Sequence, residues 1–81
     1  MITVLFFAQT RELVGVDSVE VDAQFKTIEA IRSHLVTQEG KWDIALEEGK
    51  LLAALNQSIV PLTTEVKDGD EVAFFPPVTG G

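Results

Sequence analysis

Apolar positions recur along the chain at two spacings, one suited to strands and one to a helix. Residues 2–8 (ITVLFFA) are apolar almost throughout. In a strand, successive side chains point to opposite faces, so Ile2, Val4 and Phe6 share one face and Thr3, Leu5 and Phe7 the other. A segment apolar on both faces belongs inside a sheet. The face carrying Thr3 is the less buried of the two, which leaves Phe7 as a surface aromatic. Residues 9–14 have room for one or two helical turns that stop at Gly15. Residues 17–22 alternate, with Val19 and Val21 on one side. That pattern predicts a half-exposed edge strand, antiparallel to the first.

Thr27 is a helix-capping residue type. Ile28, Ile31 and Leu35 follow at helical spacing and Gly40 is a stop signal, so the spacing predicts a helix over 28–38. Trp42, Ile44 and Leu46 form a less regular apolar stretch suited to plugging the end of the core. Residues 51–55 read as a short strand, Asn56-Gln57 as a weak turn, and Ile59-Val60 as a very short return strand before Pro61. Val66 falls in a loop. Asp68-Gly69-Asp70 predicts a turn into the last strand, 71–75. There Val72 and Phe74 alternate with Glu71, Ala73 and Phe75. The set with the glutamate faces outward and exposes a second aromatic, Phe75. This order predicts an α+β architecture, a mixed sheet of four to five strands with one main helix packed on one face. The crossover through the helix is expected to be right-handed. The first and last strands, the most apolar, are expected side by side in the middle. Residues 1–81 read as one domain.

A chain of 81 residues buries a limited core, so the helix must pack well on the sheet. Cysteine is absent, which excludes disulfides, thiolate nucleophiles and cysteine-ligated metals. Thirteen acidic side chains against six basic ones give a net charge of −7. Nucleic-acid binding relies on neutralising phosphates with Lys and Arg, so that sign argues against it. It suits a partner with a basic face. No apolar run reaches membrane-spanning length and the first residues lack a signal-peptide pattern. The expectation is therefore a cytoplasmic chain with no membrane partner.

Side chains for catalysis are scarce. The one histidine, His34, falls inside the predicted helix without a positioned partner, and acid–base or nucleophilic work needs one. No glycine pattern for a nucleophile elbow or a phosphate loop is present. Glu47-Glu48 and the Asp68/Asp70/Glu71 group lack calcium-loop spacing and read as solvated surface and turn chemistry; no metal site is expected. Phe7 and Phe75 are assigned to the same open face of neighbouring strands, and Ile59 in the short hairpin is placed to join them. Exposed aromatics grouped in this way mark an interface.

The last strand runs straight into Pro76-Pro77-Val78-Thr79-Gly80-Gly81. Prolines lack an amide hydrogen and fix φ, so Pro76 and Pro77 end sheet pairing and stiffen the exit. Gly80 and Gly81 have no Cβ and fit a narrow channel. Extended, residues 76–81 span up to roughly 20 Å. The pattern predicts a presented tail, mobile when unbound, with the Gly81 carboxylate as its reactive group.

The opening VLFFAQTRELVG (residues 4–15) and the closing DGDEVAFFPPVTGG (residues 68–81) closely resemble the MoaD/ThiS family of ubiquitin-like β-grasp sulfur carriers. The likeness covers the full length, and the closing motif is the more specific. Thiamin-type members tend to be shorter and lack the FFPP run, so the resemblance points to the branch that serves molybdopterin synthase. It implies a β-grasp fold and a non-catalytic sulfur-carrier subunit. Gly81 would be adenylated by a ubiquitin-activator-like enzyme using ATP and converted to a thiocarboxylate. The tail would then enter the large catalytic subunit of molybdopterin synthase, where sulfur passes to cyclic pyranopterin monophosphate. Two small and two large subunits would form a heterotetramer. The resemblance implies docking roles for Phe7, Arg11 and Phe75, with Ile59 at a position where the family carries an apolar residue. It implies no cofactor bound by this chain, ATP and zinc residing with the activating enzyme. Three rivals stand beside it: a carrier for thiamin or tRNA thiolation, a ubiquitin-like modifier joined to lysines through Gly81, and an interaction module with an idle tail.

Overall fold

A computed structural model of the chain describes residues 1–37, 46 and 51–76. Two strands hold its centre. β1 (Ile2–Phe6) is followed by a short helix α1 (Ala8–Val14), the strand β2 (Ser18–Val21) and the longer helix α2 (Ile28–Leu35). The hairpin β3 (Leu52–Leu55) and β4 (Ser58–Val60) then leads to β5 (Glu71–Phe75). The described strands form one sheet in the order β2-β1-β5-β3-β4. β1 and β5 pair in parallel, and the other neighbours are antiparallel. The first and last strands are thus adjacent and interior, and β2 is an edge, as their sequence patterns predict.

Alternation decides which side of this sheet is core. Ile2, Val4 and Phe6 of β1 and Val72 and Phe74 of β5 are buried, while Thr3, Leu5, Glu71, Ala73 and Phe75 are half-buried. Helix α2 closes the buried side with Ile28, Ile31 and Leu35, and Leu46 is fully buried in the same cluster. Phe6 and Phe74 are register partners, and their rings stack with centroids 6.4 Å apart. Such pairs add roughly 0.5–1.5 kcal/mol to what burial alone contributes. The Asp68–Asp70 turn is tied to the start of β1, where the Gly69 amide donates to the Met1 carbonyl at 3.0 Å. Gly69 has φ 90°, a left-handed conformation that glycine adopts without a Cβ clash.

α2 begins with its free amides satisfied. The Thr27 hydroxyl accepts from the Ala30 amide at 3.1 Å. The Ile28 and Glu29 amides donate to the carbonyls of Thr64 and Leu62, which ties the loop before β5 to the helix start. Two ends differ from the sequence reading. β1 stops at Phe6, not at 8, because the Phe7 carbonyl accepts from the Thr10 and Arg11 amides and starts α1. α2 stops at Leu35, short of 38. The Thr37 amide and hydroxyl both bond the His34 carbonyl, at 3.2 and 2.6 Å. A threonine that competes for a backbone carbonyl tightens and ends the last turn. Trp42, Ile44 and Gly40 lie outside the described residues.

Arg32, on α2, is 8% exposed. Its guanidinium grips both Glu29 carboxylate oxygens, at 2.8 and 2.5 Å, and donates to the Leu46 carbonyl at 2.8 Å. A buried cation is tolerated when it is paired and its donors are used. The Arg32 hydrogen bond holds the Glu29 carboxyl below the ordinary glutamate range, against an opposing effect of burial and with further help from the Arg32 charge and the Ser33 hydroxyl.

Two tests follow from this local chemistry. The hairpin turn has φ 49° at Asn56 and 75° at Gln57, the pair of left-handed residues that a two-residue hairpin loop requires. Glutamine at such a position is strained. Gln57→Gly is therefore expected to stabilise the fold by roughly 0.5–1 kcal/mol and Gln57→Val to destabilise it by about 1–2 kcal/mol, read by urea denaturation. The second test concerns acid. A carboxyl whose folded pKa is depressed contributes stability above its unfolded pKa and loses it as pH falls through the folded one. Stability should accordingly fall on the acid side of the ordinary glutamate range. Glu29→Gln should flatten that slope in a pH series of denaturation curves.

A candidate docking face beside the last strand

The sheet side away from α2 carries a straight ladder of register partners. Leu5 pairs with Ala73, Ala73 with Ala54, and Ala54 with Ile59. Side chains directly opposite on one face lie close together, so this row runs large, small, small, large across four strands. Two methyl groups form its floor. Beside it, Phe75 pairs with Leu52, and Phe7 follows the end of β1, where its amide donates to the Phe74 carbonyl at 3.3 Å. The result is a mostly apolar groove of about 630 Å³, lined on one flank by Leu5 and Phe7 and on others by Ile59 and Phe75. Ile59 is 70% exposed and Phe7 47%.

The other end of the groove is polar. Gln57 and Glu71 line it there. The Glu71 backbone is held in both directions by Asn56, whose amide donates to the Glu71 carbonyl at 2.8 Å and whose side-chain oxygen accepts from the Glu71 amide at 3.0 Å. The Glu71 carboxylate has no hydrogen bond or ion pair among the described residues. Asp70 differs: its carboxylate accepts from the Asn56 amide group and from the Lys67 backbone. The Asp68/Asp70/Glu71 group is thus in part turn chemistry. No grouping of three or more potential metal ligands occurs among the described residues, and Glu47-Glu48 lie outside them.

The structure brings Phe7, Ile59 and Phe75 to one groove; strand alternation predicts this for Phe7 and Phe75, and Ile59 joins them from the hairpin. Arg11 does not line it. It sits exposed in the last turn of α1, its Nε 3.7 Å from Asp17 Oδ1, an exposed ion pair of small energetic weight. Pro76 directly follows the groove residue Phe75 and is half-buried. Pro77, Val78, Thr79, Gly80 and Gly81 lie outside the described residues. Sequence reasoning did not single out Ala54, Ala73, Gln57 or Glu71 as site residues. Their faces follow from alternation, but the ladder appears only once the register is known. His34 is exposed and packs on Phe25, with ring centroids 4.9 Å apart.

A family model described as the ThiS family matches residues 4–81. The chain belongs to the ThiS family. Over all 81 residues of both proteins it is 63% identical to the molybdopterin synthase sulfur carrier subunit of Escherichia coli. It is 60% identical, again over both full lengths, to the subunit of that name from Haemophilus influenzae. Among solved structures it is similar to a chain of the complex of subunits 1 and 2 of molybdopterin-converting factor from Helicobacter pylori. That likeness has a TM-score of 0.67 and 28% identity, and covers 99% of this chain and 97% of the other. The ThiS-family fold here is the ubiquitin-like β-grasp, α+β with a mixed sheet and one main helix. No helix among the described residues is long and apolar enough to cross a membrane.

The groove residues belong to the surface and the stacked phenylalanines to the core, which separates their effects on stability. Phe7→Ala and Ile59→Asp are expected to change unfolding free energy by less than about 1 kcal/mol, whereas Phe74→Ala costs roughly 3–5 kcal/mol. Chemical denaturation of the three variants checks the ranking.

Proposed function

We propose that this chain is the sulfur-carrier subunit of a molybdopterin synthase. The observation that carries the reading is the apolar groove at the end of β5, whose residue Phe75 both lines the groove and precedes Pro76. The full-length identity to subunits of that name supports it. In this reading the groove docks the large catalytic subunit, and Pro76 to Gly81 extend from the dock into that subunit's active site. Phe7, Ile59 and Phe75 bind the partner, and Arg11 contributes from the side of α1.

Gly81 is the reacting residue. A carboxylate is a poor acyl donor because its charge is delocalised and oxide is a poor leaving group. A ubiquitin-activator-like enzyme solves this with ATP: a Gly81 oxygen attacks the α-phosphorus, pyrophosphate leaves, and an acyl-adenylate results. A sulfur nucleophile then displaces AMP. Where that sulfur arrives on a donor persulfide, a thiol reductant cleaves the S–S bond of the resulting acyl disulfide and takes the donor sulfur into a mixed disulfide, leaving the thiocarboxylate on Gly81. In the synthase that sulfur passes to cyclic pyranopterin monophosphate and Gly81 returns to a carboxylate. The chain itself is non-catalytic and binds no cofactor; ATP belongs to the activating enzyme. Two carriers and two large subunits assemble as a heterotetramer in the cytoplasm, without nucleic acid or membrane.

The test is intact-mass analysis after incubation with the activating enzyme, ATP and a sulfur donor. The expected product carries the mass increment of one oxygen replaced by sulfur, localised to Gly81. A chain lacking Gly80 and Gly81 should keep its unfolding profile and lose all sulfur transfer. An unmodified wild-type mass under conditions that load a known carrier would refute the reading. Lysine-linked conjugates in cell extracts would favour the modifier alternative.

A further inference from the structure

The groove has a chemical asymmetry that an apolar docking face alone does not need. Its floor is made of the Ala54 and Ala73 methyl groups, in one ladder between Leu5 and Ile59. Its polar end holds Glu71 beside Gln57. Asn56 holds the Glu71 backbone through both its amide and its carbonyl, and the Glu71 carboxylate has no hydrogen bond or ion pair among the described residues. Resting on the docking reading above, we propose that the groove receives one lysine or arginine side chain of the large subunit, its aliphatic stem over Ala54 and Ala73 and its cation on Glu71.

Three considerations choose this occupant. A long cationic side chain is apolar along its stem and charged at its tip, which matches a groove that is apolar along its floor and anionic at one end. An aromatic or aliphatic knob seated there would cover the carboxylate and leave it without water or a partner, an unfavourable burial. The net charge of −7 favours a basic partner surface during encounter, and an end-on ion pair inside the dock fixes register as well as rate. Ala73 and Ala54 then determine specificity by their smallness: a larger side chain at either fills the slot that the stem needs.

The experiment is calorimetric titration of the full chain into the purified large subunit, at low and at physiological salt, with each variant's thermal unfolding measured in parallel. Glu71→Gln keeps the shape and removes the charge. It should weaken binding about tenfold at low salt and flatten the salt dependence, and Glu71→Lys should weaken it about a hundredfold or more. Ala73→Leu should weaken binding at least about tenfold at either salt, with unfolding unchanged. Binding by Glu71→Gln within about twofold of wild type, with Ala73→Leu still impaired, would overturn the cationic occupant in favour of an apolar knob. Full binding by both variants while Ile59→Asp fails would also overturn it, placing the dock on the aromatic rim alone. Full binding by Ile59→Asp as well would instead refute the docking face itself. The mass test at Gly81 is independent of all these outcomes.

Discussion

β1 and β5 lie side by side in parallel, and nearly every other feature depends on their register. On one side of this pair, Ile2, Val4, Phe6, Val72 and Phe74 form the centre of the core. On the other, Leu5, Ala73 and Phe75 line the groove. A slip of one residue in either strand would exchange its faces. It would turn Phe74 out to solvent and press Ala73 and Phe75 against α2. In the observed register the Phe6 and Phe74 rings stack within the core, and a slip would carry Phe74 out of it. Core and docking face are therefore two consequences of one pairing. A substitution that loosens the pairing damages both, whereas one on the open side can alter the groove alone.

The open side also shows how an apolar face is kept compact. One helix covers one side of the sheet, and the other side must meet water or a partner. Alanines at the centre of the ladder limit the apolar area presented there; Ala54 is only 8% exposed. The prominent apolar groups, Phe7 and Ile59, stand at opposite sides of the groove, where a partner reaches them first. Charge is treated differently on the two sides of the sheet. On the helix side, Arg32 is closed into a clamp with Glu29 and the Leu46 carbonyl. On the open side, Glu71 keeps its carboxylate uncommitted among the described residues. A paired buried charge mostly secures conformation, and an unpaired one at the rim of an apolar groove is available for recognition.

The extent to which the sequence revealed this structure depended on whether the signal was local. Alternation in β1 and β5 was legible because both faces are spelled out in consecutive residues, and their apolar character placed them together in the sheet interior. Thr27 was legible as a cap, Gly15 as a helix stop and Gly69 as part of a turn. The hairpin at Asn56-Gln57 gave a faint signal because glutamine has no preference for positive φ; pairing of Leu55 with Ser58 imposes that conformation. The burial of Arg32 was not legible, since its partner at Leu46 lies on another segment. Nor was the alanine floor, because a small residue has no signature until its neighbours across the sheet are known. Arg11 was assigned by family likeness to the docking surface, and the fold sets it apart from the groove, beside Asp17. Trp42, Ile44 and the tail beyond Pro76 lie outside the described residues.

The junction of Phe75 and Pro76 links the groove to the chain that follows. β5 pairs with β3 as far as Phe75 and Leu52. The next residue has no amide hydrogen to extend the ladder, so sheet pairing through that donor ends where the groove's aromatic rim ends. Within the proposed function, a partner seated on Phe75 is registered against the point from which the tail emerges, with a single peptide link between dock and exit. No additional chain then has to be ordered between the dock and the exit, and ordering chain is a main entropic cost of association. A dock further back along β5 would add residues between the partner and the exit and loosen the aim of Gly81. Placing the aromatic at the final strand position, immediately before proline, is the arrangement that keeps that distance shortest.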